Sequence, residues 1–133
     1  MISKQGRIRL SPKGYKKICR LVDLRASSQY GYPCCEWCGA SNTRLQHHHI
    51  IFRSAYGSDT MDNLILLCEK CHHELAHGVE ARKYRVLFSQ RIADPIGLAF
   101  NMRHEEEAIE IYQKYGAKRR NHGTILCFQR FCE

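Results

Sequence analysis

Features that mark secreted and membrane-spanning proteins are missing from this sequence. No apolar run approaches the roughly 20 residues that cross a bilayer, so no membrane partner is expected. No secretory hydrophobic segment precedes the cysteines, which argues against a disulfide scaffold even though the chain has eight of them. Internal repeats and low-complexity tracts are absent too. We therefore expect a cytosolic protein, and 133 residues suffice for one domain with a modest core.

Acidic residues are also few. The chain has 13 Asp and Glu against 21 Lys and Arg, which gives a formal net charge of +8. Such an excess favours a polyanionic partner, with an ordinary solvated basic surface as the alternative. Residues 1–30 hold eight basic residues and one acid, Asp23. Ser11-Pro12 predicts the start of a helix that runs to about Ser27. Four of its basic residues are candidate contacts to a nucleic-acid backbone: Lys13, Lys16, Lys17 and Arg20.

Cysteines are plentiful, and four of them form two Cys-x-x-Cys pairs. The pairs are Cys35/Cys38 and Cys68/Cys71. Each pair has the spacing that places two thiolates on one zinc ion, and two pairs complete a closed tetrahedral site. Cys34 could replace Cys35, but the two-residue gap favours Cys35. The sequence therefore predicts a structural zinc that needs no histidine ligand.

The remaining chain is predicted to mix short strands with helices. Residues 7–10 read as a short strand or a basic arm, and residues 84–88 as a strand or a helix. The other predicted elements are a strand over 43–51, a loop over 52–60, an apolar stretch over 64–67, a helix from His72 to about Gly78 and a helix over 105–115. The last helix has an apolar stripe made of Ala108, Ile109, Tyr112 and Tyr115.

Three segments in order carry a family resemblance. They are C-E-W-C at residue 35, L-Q-H-H-H-I-I at residue 45 and D-N-L-I-L-L-C-E-K-C-H at residue 62. The combination resembles the zinc-stapled form of the HNH nuclease family, which is common among phage, prophage and restriction-type nucleases. The resemblance covers about residues 30–78.

The resemblance implies an α+β fold with a treble-clef-like ββα-metal core stapled by the four-cysteine zinc. It places a basic arm and N-terminal helix at 1–30, the nuclease core at 31–80 and a partly helical C-terminal extension at 81–133, all in one compact domain.

The resemblance also assigns roles to individual residues. His49 corresponds to the general base, while His48 and His72 correspond to ligands of a catalytic metal. Asn63 corresponds to the family's central asparagine, which orders the loop and sometimes completes the metal shell. Arg53, just after the base strand, is a candidate for holding a phosphate oxygen.

Two geometric objections stand against these roles. Neighbouring strand residues point to opposite faces, so strict alternation groups His47 with His49 and separates both from His48. In the register of the family His47 is a bystander or a supporting residue. The family's usual second helix histidine falls on Ala76, and on an ideal helix His72 and His77 lie about 140° apart. The third metal ligand is therefore open among three residues: His73, His77 and Asn63.

The implied reaction is hydrolysis of a phosphodiester in double-stranded DNA, leaving a 5′-phosphate and a 3′-hydroxyl. Mg²⁺ or Mn²⁺ is the first expectation for the catalytic metal, with Ni²⁺, Co²⁺ or Zn²⁺ as alternatives at imidazole ligands. The expected location is the cytoplasm of a bacterium or a phage-infected host, with a homodimer or a phage or host protein as further partners. Two other readings compete: a zinc-stapled nucleic-acid-binding module without catalysis, and a structural zinc protein that binds another protein.

Overall fold

A two-stranded antiparallel sheet lies at the centre of this computed structural model, which describes residues 7–116. Strand β1 is Leu45–His49 and strand β2 is Leu64–Cys68. His48 lies opposite Ile65 in the register of the two strands. The helices are α1 (Pro12–Ala26), α2 (Glu69–Cys71, continued by a π-helix over His72–Ala76), α3 (Ala81–Ile92), α4 (Pro95–Arg103) and α5 (Glu105–Tyr115). The expected α+β class is confirmed.

Helix α1 begins where the sequence predicts. The hydroxyl of Ser11 accepts a hydrogen bond from the amide of Gly14, and Pro12 occupies the first turn. A β-carbon on Gly14 would lie 2.2 Å from the β-carbon of Tyr115. Glycine therefore lets α5 approach α1 closely, and the two ends of the described chain meet in a bridge between Leu10 and Gly116.

Strand β2 is buried along its whole length and divides the core in two. Leu64 and Leu66 pack on one side with residues from α1, α4 and α5. Ile65 and Leu67 pack on the other side with cysteines of the two Cys-x-x-Cys pairs and with α3. Because directly opposed residues of an antiparallel pair share a face, His47 and His49 belong to the α1 side and His48 to the α3 side.

Several secondary-structure predictions need correction. The first strand covers only Leu45–His49 rather than 43–51. Of the two alternatives for residues 84–88, the helix is confirmed and belongs to α3, whereas α4 was not expected as a separate helix. Helix α5 has the predicted bounds, but Ile109 is exposed and Ile111 is buried in its place. Asp94 caps the start of α4, because its side chain accepts a hydrogen bond from the amide of Gly97.

Three of the basic residues before Tyr30 are buried rather than available to a partner: Arg7, Arg9 and Arg25. A buried arginine needs a partner, and Arg9 finds one in Asp59, at 2.9 Å. Neither alternative for residues 7–10 holds: the segment forms a single bridge at Leu10 rather than a strand, and Arg7 and Arg9 are too buried for a basic arm. Residues 1–6 and 117–133 lie outside the described part of the chain, and the domain limits 1–30, 31–80 and 81–133 stay a prediction. Within residues 7–116, no helix is both long and apolar enough to span a membrane.

Candidate active site

The two Cys-x-x-Cys pairs meet in one cluster. Cys35, Cys38, Cys68 and Cys71 place their sulfur atoms within 4.8 Å of one another, which is close enough to share a metal ion. The sulfur of Cys35 accepts hydrogen bonds from the amides of Trp37 and Cys38, each at 3.4 Å. Backbone donors of this kind stabilise the thiolate form that a metal requires. The expected four-cysteine cluster is confirmed, and its chemistry fits structural zinc.

Cys34 does not belong to the cluster. Its thiol points instead to the carbonyl oxygen of Tyr32, at 3.5 Å. The turn between Cys35 and Cys38 is also held to the sheet by protein contacts, because the amide of Glu36 donates to the carbonyl oxygen of Leu66 and the Glu36 carboxylate accepts from the Leu66 amide. Arg25 reaches the other side of the Glu36 carboxylate, at 2.8 Å. This buried arginine therefore joins α1 to the turn between Cys35 and Cys38.

A second cluster consists of three histidines. His48, His72 and His77 each present a ring nitrogen, and these nitrogens lie within 4.8 Å of one another. The Nε2 atoms of His72 and His77 are 3.2 Å apart. The ring of His48 lies 5.1 Å from that of His72 and 5.4 Å from that of His77. His73 is exposed and lies outside this group.

A π-turn explains why His72 and His77 share a face. The backbone amide of His77 donates to the carbonyl oxygen of His72, so the bond closes over five residues rather than four. The wider turn brings residues five apart almost into line along the axis. The 140° separation expected from an ideal α-helix therefore does not apply to this pair.

The environment of His48 keeps its imidazole neutral. Burial, and after it the charges of the neighbouring His72 and His77, lower the pKa of His48 to about 3. Burial likewise lowers the pKa of His72. Phe52 and Phe88 present ring edges to His48 at 5.7 and 6.3 Å, which accounts for its apolar surroundings. Neutral imidazoles are the form that binds metal ions.

His49 is held from the other side of the strand. Its Nε2 lies 2.8 Å from a carboxylate oxygen of Asp59, and its ring is parallel to that of Tyr15 at 5.8 Å. The carboxylate of Asp59 is fully buried and also accepts from Arg9 and from the amide of Leu10. Burial raises the pKa of Asp59, but the hydrogen bonds outweigh burial and hold that pKa below its ordinary value. Asp59 is therefore a fixed anion that orients the imidazole of His49 through its Nε2.

Arg53 lies beside the same carboxylate. Its guanidinium approaches Asp59 at 3.2 Å and lies 5.3 Å from the centre of the Tyr15 ring. About two-fifths of the Arg53 side chain is exposed, 39% by area. The structure thus places Arg53 next to His49 with part of its guanidinium open to solvent.

Asn63 is buried and orders the loop between the strands. Its side-chain oxygen accepts from the amide of Ile51 at 2.8 Å. Its side-chain nitrogen donates to the carbonyl oxygens of Ile51 and Ser58, at 3.1 and 2.9 Å. Both donor hydrogens are therefore engaged, and the oxygen faces a backbone amide rather than the three histidines. The structure places Asn63 as a support for the loop, away from the cluster that could hold a metal.

His47 pairs with Asp23 of α1 on the face it shares with His49. Its Nε2 lies 2.7 Å from an oxygen of that carboxylate. The hydrogen bond with Asp23 raises the pKa of His47 to about 10, so this imidazole is charged at neutral pH. A charged histidine cannot accept a proton from water, which separates His47 from the role of a base.

The candidate DNA-contacting residues border one groove of about 830 Å³ between α1 and α5. Asp23, Glu107 and Glu110 also line it, so its charge is mixed rather than uniformly positive. The basic side chains at this groove are Lys13, Lys16, Lys17, Arg20 and Lys114.

Four residues of the site were not singled out from the sequence: Tyr15 as a partner of His49, Asp59, Phe52 and Arg85. Phe52 stacks on His77 with ring centres 5.3 Å apart, and Arg85 lies over the same phenylalanine at 5.5 Å. The spacing of Asp59 from Asn63 gives no hint of the contact with His49. Only the fold brings the carboxylate to the imidazole.

Comparisons with known proteins agree with the resemblance. The family model described as HNH endonuclease matches residues 35–77. The type IV methyl-directed restriction enzyme EcoKMcrA of Escherichia coli (strain K12) is 39% identical over 57 residues, which cover 37% of this chain and 21% of that enzyme. The chain thus spans about a fifth of the length of this relative. No solved structure matches the chain.

The matched residues include all four cysteines and all three clustered histidines, together with His49 and Asn63. The family match and the restriction-enzyme relative both support a nuclease. Over residues 35–77 this chain is therefore similar to the HNH endonuclease family.

Proposed function

We propose that the chain is a metal-dependent endonuclease that hydrolyses phosphodiester bonds of double-stranded DNA. The observation that carries the proposal is the placement of His49 next to His48 at the end of β1. His48 belongs to the cluster of three histidines that could hold a metal ion, and His49 is oriented by the buried Asp59. A binding module or a structural zinc protein has no use for this combination.

The three histidines fit a divalent ion by their chemistry. Three protein ligands with further positions left open are the usual arrangement of a catalytic site. A donor set of three imidazoles suits Zn²⁺, Ni²⁺ or Co²⁺ better than it suits Mg²⁺, which prefers oxygen ligands. Zn²⁺, Ni²⁺ and Co²⁺, which were the alternatives from the sequence, therefore become the first expectation for the catalytic metal, with Mn²⁺ next. When bound, the ion would polarise the phosphate and neutralise charge on the leaving 3′ oxygen.

His49 would serve as the general base. Its Nε2 is occupied by Asp59, so Nδ1 is the nitrogen that accepts a proton from the attacking water. Asp59 fixes the tautomer and stabilises the imidazolium that forms, as a buried carboxylate does beside a catalytic histidine. In-line hydrolysis places the attacking water and the leaving oxygen on opposite sides of phosphorus. His48 and His49 point to opposite faces of β1, which is compatible with roles on the two sides of one phosphate.

Arg53 and the basic residues of α1 would bind the DNA backbone. The exposed part of Arg53 lies beside His49 and can donate to a phosphate oxygen. Lys13, Lys16, Lys17 and Arg20 are all exposed on α1, the helix that also supplies Tyr15 to His49. Their charges would position the duplex without reading its sequence.

Cleavage of a supercoiled plasmid tests the proposal. Wild type, His49→Ala and the control His73→Ala are compared after EDTA treatment and after addition of Mg²⁺, Mn²⁺, Ni²⁺, Co²⁺ or Zn²⁺. Metal-dependent nicking or linearisation is expected for wild type and His73→Ala. His49→Ala should lose roughly 10²- to 10⁴-fold in rate, the usual contribution of a general base. Salt-sensitive DNA binding without cleavage under any metal would instead support a binding module that lacks catalysis.

A further inference from the structure

Arg85 lies beside the three-histidine cluster on an element outside the matched HNH domain. It belongs to α3, whereas the match ends at residue 77. Its guanidinium lies 5.5 Å from the centre of the Phe52 ring, and Phe52 in turn stacks on His77. Arg85 also lines a small crevice together with His48 and Phe52. One aromatic ring therefore connects the arginine to a candidate metal ligand.

The hydrogen-bond donors of Arg85 are not used within the described chain. Among residues 7–116 its guanidinium makes a ring contact with Phe52 but neither a hydrogen bond nor an ion pair. Arg53, on the His49 side, is instead held by the carboxylate of Asp59. Arg85 is exposed, so its five N–H groups are open to a ligand.

A bound anion would explain why the positively charged Arg85 lies beside a candidate metal site. A guanidinium beside three imidazoles would be repelled by a divalent ion bound to them. A phosphate placed between the arginine and the metal would pair with both cations and remove the repulsion.

We propose that Arg85 binds a phosphate group of the DNA strand that lies at the His48/His72/His77 site. The inference rests on the proposed nuclease function and adds a contact from α3. Phe52 positions the guanidinium by a cation–π contact. Arg53 and Arg85 then contact the substrate backbone from the His49 side and from the histidine-cluster side.

Binding and cleavage of a short duplex test this contact. Lys83→Ala is the matched control, because Lys83 is exposed on the same helix, two residues from Arg85 and thus about 200° around the axis. Binding is measured in a His49→Ala background with Mn²⁺, by fluorescence anisotropy over a range of salt concentrations. Cleavage is measured with otherwise wild-type protein, and thermal melting checks that each variant is folded.

Arg85→Ala should reduce the slope of log affinity against log salt by about 0.9, the value for one lost phosphate contact, while Lys83→Ala should change it much less. Cleavage efficiency should fall roughly 10- to 100-fold, as for the loss of a hydrogen bond to a charged group. Arg85→Lys, which keeps the charge but loses the planar fork, should recover the slope and only part of the cleavage. Equal slopes for Arg85→Ala and Lys83→Ala would overturn the proposal. If wild type never cleaves, the nuclease proposal fails, yet the slopes still decide whether Arg85 contacts a phosphate.

Discussion

The backbone amide of His77 donates to the carbonyl oxygen of His72 at 3.2 Å, and this π-type bond places their Nε2 atoms equally close, at 3.2 Å. Two nitrogen acceptors gain nothing from such an approach unless they share a proton or a cation. The buried ring of His48 completes the group on a third side. Of the three residues left open by the sequence, His73, His77 and Asn63, His77 is the one that lies in the described cluster that could hold a metal ion.

Metal affinity should follow this geometry. In protein whose four-cysteine site is already loaded with zinc, His72→Ala and His77→Ala should each weaken Ni²⁺ or Co²⁺ binding by at least about tenfold, because even loss of an outer-shell partner costs that much. His73→Ala should leave the affinity unchanged. Isothermal titration calorimetry provides the measurement. A loss in His73→Ala with normal binding in His77→Ala would show that ordinary helical spacing holds in solution.

The contrast between His77 and the cysteines shows what spacing alone can predict. Two Cys-x-x-Cys pairs act through local turns, so the sequence sufficed to predict that Cys35 and Cys68 would meet with their partners. The inclusion of His77 in the histidine cluster depends on a π-turn, whereas the prediction from the sequence assumed the period of an α-helix. Strand alternation did hold, because His47 and His49 share one face and His48 takes the other.

Contacts between residues that are far apart in the chain could not be predicted from the sequence. Asp59 contacts Arg9 across 50 positions of the chain, and Arg25 reaches Glu36, Met61 and Leu64. Counting charge in residues 1–30 treated these arginines as surface groups. Burial reverses that assumption, and burial depends on which segments the fold brings together.

Asp59 should act through His49, and a double-mutant cycle can show it. Asp59→Asn should lower the cleavage rate by roughly tenfold or more, since the base loses the anion that orients it. In the His49→Ala background the same substitution should have almost no further effect, because residues that act as a unit are not additive. Single-turnover cleavage of a labelled duplex gives the rates. Independent effects that multiply in the double variant would refute the coupling.

Stability must be checked beside this cycle, because Asp59→Asn leaves Arg9 buried without its partner. Removal of one member of a buried ion pair typically costs about 3–5 kcal/mol. Thermal melting of each variant should therefore show a lower midpoint for Asp59→Asn than for His49→Ala. The rates are compared at a temperature where both variants remain folded.

Substitution of Cys38, which belongs to the four-cysteine cluster, and of Cys34, which does not, should have different effects. Cys38→Ser should lose zinc and unfold, because structural zinc binding contributes about 10–16 kcal/mol of folding free energy in small zinc domains. Cys34→Ser should keep one tightly held zinc and a cooperative melt, since Cys34 lies outside the cluster. Metal content by atomic emission and thermal melting would test both. Equal loss of zinc in the two variants would contradict the assignment of Cys35 as the ligand.

His47 should make stability depend on alkaline pH. Its pKa of about 10 in the folded protein exceeds the ordinary value of about 6.5, so the folded state binds the extra proton. The stabilisation is fully present below pH 6.5 and is lost as pH rises toward 10. The slope cannot exceed the roughly 1.4 kcal/mol per pH unit of one proton, and because Asp23 is 41% exposed, solvent screening narrows the pH range over which the loss occurs.

Chemical denaturation of zinc-loaded wild type, His47→Gln and Asp23→Asn between pH 6.5 and 9 measures this loss. Both variants should be less stable than wild type at pH 6.5, and the gap should shrink as pH rises because wild type alone loses the ion pair. Removing either partner should flatten the profile to the same extent, since each variant lacks the same interaction. A gap that stays constant over this range would mean that His47 is neutral in the folded protein. His47 would then be free to compete with His49 for the proton of the attacking water, and the assignment of the base would have to be decided by cleavage in His47→Gln.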